Sequence, residues 1–237
     1  PQTTPPHSVG WRAAAANLSD LAAMGAAPIG LTVGLSLPGS TPWVWVEDLY
    51  RGLTECAAPW AAPIVGGDVT RSPLAVLSIT ALGRVEATQA IRRSQAQPGD
   101  AILVTGVHGA ARAGLELLLK YPPGRRPKRL TEDEAAELIC AHQYPRPRLD
   151  AIAKRPPVGR VAGMDSSDGL ADAIVQLCQA SQVSAQLDRA ALNLPPGLEA
   201  WVGPELALDW ALYGGEDFEL VLCLPRPAAE AWRDRLG

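Results

Sequence analysis

Three short clusters set carboxylates beside glycines: Gly66-Gly67-Asp68-Val69-Thr70-Arg71, Asp165-Ser166-Ser167-Asp168-Gly169-Leu170 and Gly214-Gly215-Glu216-Asp217. Each adjoins an apolar run that reads as a buried strand. Acids at strand ends add little to a core. Hard carboxylate oxygens next to an approachable backbone are what Mg²⁺ and polyphosphate require. A fourth segment, Asn17-Leu18-Ser19-Asp20-Leu21-Ala22-Ala23-Met24-Gly25-Ala26, places one acid in an otherwise apolar, Ala-rich stretch. The set points to a metal-dependent phosphate enzyme, and Asp20, Asp68, Asp165 and Asp168 are expected to line one cleft.

Each cluster also has a plainer reading. Asp165 and Asp168 bracket a strand-to-helix junction. They converge on one cation if the helix starts near Asp168, leaving Ser167 and the first helical N–H groups to meet phosphate; Asp165 or Ser166 would otherwise be a helix cap. In Gly66-Gly67-Asp68 the glycines permit close approach, with Asp68 a candidate ligand and Arg71 a candidate phosphate contact, but a tight turn would use the same residues. Other chemistries find little support. No lysine follows a glycine, which excludes a Walker A loop. No G-x-S-x-G elbow occurs. His7, His108 and His142 lack zinc spacing and read as surface or cap residues. No poised general base is evident.

The elements that must position these residues follow from periodicity and punctuation. A helix is expected from Ser8, as N-cap, to Ala26, with Gly25 near its stop. A strand with Leu31, Val33, Leu35 and Leu37 alternating follows, then a helix from Pro42 to Ala61. Pro63-Ile64-Val65 leads into the first cluster, and Leu74 to Val85 is a strand. The polar stretch Glu86–Asp100, containing Arg92-Arg93, suggests a domain boundary that separates residues 1–88 from 89–237. Beyond it come a strand from Ala101 to Thr105, a helix from His108 to Tyr121 and the basic loop Pro122–Arg129. The Thr131-x-x-Glu134 capping box then opens a helix. A strand from Val161 to Met164 and a helix to Ser181 flank the second cluster; short strands are expected at Ser184–Leu187 and Glu219–Leu224. Alternating helices and strands imply a layered α/β (α+β) fold.

Composition bounds the function. The chain has 237 residues, 47% of them apolar, and a net charge of −4. That charge argues against nucleic acid as the main partner, and no apolar run is long enough to span a membrane. The four cysteines are scattered, the usage of a reducing compartment, so a cytoplasmic location is expected. The seven tryptophans, without a basic stripe, read as packing residues.

The four segments, in this order and spacing, resemble the thiamine-monophosphate kinase family, related to aminoimidazole-ribotide synthetase and selenophosphate synthetase. The resemblance covers essentially the whole chain. It implies two α/β domains, homodimerisation through N-terminal sheets, and Mg²⁺- and ATP-dependent phosphorylation of thiamine monophosphate to the diphosphate. By the same resemblance Asp20, Asp68, Asp165 and Asp168 would be metal ligands, Tyr50, Gly67, Arg93 and Ser167 would contact ATP, and Glu216 would bind the thiamine moiety. It further implies acidic ligands upstream of Pro1 and an aromatic substrate contact beyond Gly237, so that both domains would be incomplete here. Ser166 stands where the family usually has an apolar residue, and Val69 where it often has Thr. The direct transfer needs no general base, because a phosphate monoester is largely ionised near pH 7. Two other readings remain open: another ATP-dependent synthetase of the same superfamily, and a non-catalytic module that binds nucleotide or divalent ions.

Overall fold

A computed structural model describes residues 3–236. Helix α1 (Pro6–Ala23) opens on a proline, whose fixed φ suits the first helical position, and has no side-chain cap. Ser8, expected as the cap, lies inside the first turn and is fully buried. The helix stops in a Schellman motif: the Gly25 N–H donates to Ala22 O and the Ala26 N–H to Leu21 O, both at 2.8 Å, with Gly25 at φ 72°. Helix α2 (Trp43–Ala57) packs on α1 backbone to backbone. A Cβ on Gly10 would sit 1.9 Å from Leu49 O, and one on Gly52 would sit 1.9 Å from His7 O. These two glycines therefore set the spacing between the helices.

Strand β1 (Ala27–Leu37) is the centre of the first sheet, with β2 (Ile64–Arg71) parallel on one side and β3 (Val76–Arg84) antiparallel on the other. Leu31, Val33, Leu35 and Leu37 all point into the core. Alternation thus buries this stripe within the chain, and the opposite face carries Thr32 and Ser36. The first glycine–acid cluster does not follow a short strand, as expected. It is the strand β2, exposed along nearly its whole length.

The second sheet has the order β4 (Asp100–Val104), β6 (Leu220–Pro225), β5 (Ala162–Asp165), with β6 antiparallel to both neighbours. Around it lie α3 (Ala110–Lys120), α4 (Glu132–Gln143), α5 (Leu149–Ala153), α6 (Leu170–Ser181), α7 (Leu198–Val202), α8 (Pro204–Tyr213) and α9 (Arg226–Leu236). The capping box at Thr131 and Glu134 forms with both of its hydrogen bonds. The fold is the expected mixture of helices and sheets.

Four helices escaped the sequence reading. Glycines and prolines around 195–204 suggested loop, yet Pro204 occupies the first turn of α8, where its missing N–H costs nothing. The charges of α9 hid the spacing of Ala229 and Trp232, both buried. Helices α5 and α7 are too short, at five residues each, for periodicity to declare them. The expected strand at Ser184–Leu187 is coil, without a ladder partner. One core joins Leu18, Leu31 and Leu53 to Leu149, Leu220 and Trp232, so apolar packing runs across the polar stretch at 86–99. Among the described residues no helix is long and apolar enough to cross a membrane.

Candidate functional site

The site forms where α1 meets the end of β5. Asp165 is the last residue of β5, paired with Leu220, and is almost fully buried. Helix α6 starts at Leu170, two residues later than expected, with Gly169 as an N-cap that provides no side-chain bond. Asp165 is therefore not a helix cap. Its Oδ2 accepts a 2.8 Å hydrogen bond from Ser19 Oγ, which is itself fully buried on α1. The neighbouring Asp20 thereby enters the same electrostatic field. Burial pushes the Asp20 carboxyl above its ordinary range, repulsion from Asp165 adds to that, and Arg93 opposes it. Burial likewise raises Asp165; the Ser19 bond and Arg93 oppose the shift, while Asp168 adds to it. Asp20 sits in the last turn of α1, where the helix dipole disfavours an anion. Local structure has no use for this acid there.

Three of the four expected metal acids, with Arg93, thus share one neighbourhood. Arg93 Nη1 also donates to Gln176 Oε1 at 2.8 Å, which fixes the guanidinium against α6. Among the described residues no three acid, histidine or cysteine side chains converge closely enough to hold an ion by themselves. The donors nonetheless fit Mg²⁺, which typically keeps several waters and takes one or two carboxylates together with substrate phosphates. Asp20 and Asp165 would supply those carboxylates: Asp165 is buried and Asp20 reaches solvent, and the repulsion between them is relieved by a cation.

Ser167, expected against ATP, leads from β5 into α6, and its carbonyl accepts the Glu216 N–H at 2.7 Å. The expected substrate acid is therefore pinned by its backbone to the Asp165–Asp168 loop. Glu216 Oε1 pairs with Arg12 of α1 at 2.7 Å, and Arg12 also donates to the His142 carbonyl near the end of α4. Asp217 is buried, and its two carboxylate oxygens accept from the Gly109 and Ala111 N–H groups at 2.7 and 2.8 Å. Glu219 accepts from Arg148 at 2.7 and 3.0 Å and from the Thr105 hydroxyl.

The remaining expected contacts lie on the first sheet and on α2. Asp68 is on β2 opposite Gly34, exposed, and its carboxylate accepts from the adjacent Val69 N–H at 2.9 Å. Among the described residues it shares no hydrogen bond or ion pair with Asp20, Asp165 or Asp168. A Cβ on Gly67 would lie 1.9 Å from Val33 O, so the parallel strand alone accounts for that glycine. Tyr50 rests against the core from α2, and burial raises its hydroxyl pKa.

Sequence reasoning missed Arg12, Ser19, His108, Asp217 and Glu219. Asp217 and Glu219 follow closely on the named Glu216, a visible signal; Arg12 and Ser19 gain meaning only through partners more than 100 residues away. His108 and His142 are buried rather than at the surface. His108 Nε2 lies 3.0 Å from Ser166 Oγ, and burial lowers its pKa to about 4, so a neutral imidazole supports the loop. In this chain the polar Ser166 has a polar partner waiting for it.

Known proteins resemble this chain in sequence and in fold. Residues 1–85 match the family described as AIR synthase related protein, N-terminal domain. The thiamine-monophosphate kinase of Synechococcus elongatus is 51% identical over 241 residues, covering 99% of this chain and 71% of that protein. The crystal structure of thiamine-monophosphate kinase from Stenotrophomonas maltophilia superimposes with a TM-score of 0.86 at 34% identity, covering 99% of this chain and 73% of that one. The AaThiL complex with AMPPCP and TMP gives 0.85 at 31% identity, covering 94% of this chain and 70% of that one. With this identity over nearly its whole length, the chain belongs to the thiamine-monophosphate kinase family of phosphotransferases.

Proposed function

We propose that this chain transfers the γ-phosphoryl group of ATP to thiamine monophosphate, giving thiamine diphosphate and ADP. One observation carries the reading: the Glu216 N–H bonds Ser167 O at 2.7 Å, tying the substrate acid to the loop that bears Asp165 and Asp168. An oxygen of the monophosphate attacks the γ-phosphorus as the bond to the β-phosphate oxygen breaks. The attacking oxygen is already ionised near pH 7, so no side chain need remove a proton. Asp20, Asp68, Asp165 and Asp168 are the proposed Mg²⁺ ligands, and bound Mg²⁺ would neutralise charge on the reacting phosphates. Arg93 and Ser167, with Tyr50 and Gly67, are assigned to ATP. Glu216 faces the cationic thiazolium, with Arg12 fixing its carboxylate.

The protein is proposed to act as a cytoplasmic homodimer. The Leu31–Leu37 stripe is used up within the chain, so the pairing surface is the outer face of the first sheet, where Val76 and Leu82 of β3 are exposed. A second reading, a nucleotide- and ion-binding module without turnover, is favoured by the lack of a complete three-acid site among the described residues. ADP release measured with thiamine monophosphate, ATP and Mg²⁺ decides between them. Release that depends on thiamine monophosphate supports the kinase, and ATP binding without release supports the module.

A further inference from the structure

The segment from Gly214 to Glu219 contains two non-glycine residues in left-handed backbone, Glu216 at φ 71° and Phe218 at φ 52°. Such conformations persist only where the surroundings over-determine them, and they cluster at functional sites. Asp217 lies between the two. Its carboxylate is the one side chain of this segment that grips the start of α3, through Gly109 and Ala111. On the other side, a Cβ on Gly215 would stand 2.6 Å from Ser167 O, so the segment is pressed against the Asp165–Asp168 loop. Fixing one side chain between two strained residues limits both, since neither can relax without pulling a buried carboxylate from its donors.

We propose that Asp217 is a positioning residue: it does not touch substrate but holds Glu216 in its left-handed conformation, N–H on Ser167 and carboxylate beside Arg12. This rests on the reading of Glu216 as the substrate acid. It goes beyond that reading by naming what keeps the acid in place.

The test is Asp217→Asn in the full-length protein, beside Glu216→Gln and the double variant. Amide hydrogen exchange at Glu216 should accelerate at least ~10-fold in Asp217→Asn, because the bond to Ser167 O loosens. The Michaelis constant for thiamine monophosphate should rise about 10-fold while that for ATP changes less than ~2-fold. In the Glu216→Gln background Asp217→Asn should add less than ~2-fold, because both changes act through one group. Where Asn destabilises the chain too far, Asp217→Ser retains an acceptor and serves in its place. Unchanged Glu216 amide protection, an equal rise in both Michaelis constants, or full additivity would overturn the proposal. A Glu216→Gln variant with normal kinetics would instead sink the substrate role of Glu216, and the exchange measurement would still decide the role of Asp217.

Discussion

The loops at 165–169 and 214–219 and the strand at 66–71 look alike in sequence, each a glycine–acid cluster beside an apolar run. They are built in opposite ways. In the paired loops every acid but Asp168 and Glu216 is buried or nearly so, and partners come from α1, α3 and the Arg148 region. Strand β2 is exposed, and Asp68 bonds only its own neighbour. A chain that buries carboxylates must hold them by hydrogen bonds, whereas an exposed strand can leave its acid to water. Geometry fixed in advance is therefore confined to the first region, and any ligand role of Asp68 must be completed by what approaches β2.

The sharpest test of the buried region is acid. His108 has a folded pKa of about 4, below its ordinary 6.5, so the unfolded chain binds the extra proton between those values. Its contribution is complete above pH 6.5 and is lost as pH falls toward 4, by about 3 kcal/mol at ~1.4 kcal/mol per unit. Urea unfolding at several pH values should show that His108→Gln, although less stable at pH 7, loses less stability on acidification. A parallel slope would remove His108 from the account.

Next in size is Asp165→Asn. Replacing a buried acid whose pKa is raised by desolvation should leave the melting temperature near that of the wild type, while turnover falls at least ~100-fold, about 2.7 kcal/mol. Added Mg²⁺ should restore part of it. Kinetics within a few-fold of wild type at low Mg²⁺ would reject Asp165 as a ligand. Gly67→Ala should destabilise by roughly 1–3 kcal/mol, since its Cβ meets Val33 O, whereas Gly66→Ala, with open space, should change stability by less than ~0.5 kcal/mol. Similar melting temperatures for the two variants would contradict the described packing of β2. The smallest effect is expected from Asp68→Asn, under ~0.5 kcal/mol in stability. Its turnover should nonetheless fall, as the proposed Mg²⁺ ligand role requires, and unchanged turnover would remove Asp68 from the ligand set.

Much of the framework was legible in local pattern. The 2.0 period of β1, the Thr131 capping box and the glycine stop at Gly25 are all consequences of nearest-neighbour chemistry, and each is present. What failed were features whose meaning is set at a distance. Ser8 resembles a cap, but Pro6 begins the helix first. Ser184–Leu187 has strand propensity without a strand to pair with. Trp232 announces a helix only once it donates to Ala151 O, 81 residues away in sequence.

The sequence by itself determined the acids, their order, and the strand-end settings of Asp165 and the Glu216 segment, because residue type and local propensity travel with the chain. Tertiary structure decided which acids meet. Ser19 reaches Asp165 across 146 residues, and Glu216 settles on Ser167 and Arg12, because α1 packs against the end of β5 and β6 runs between β4 and β5. The same packing left Asp68 on an exposed strand. Desolvation and mutual charge are properties of that assembled environment, so no spacing in the sequence could state them.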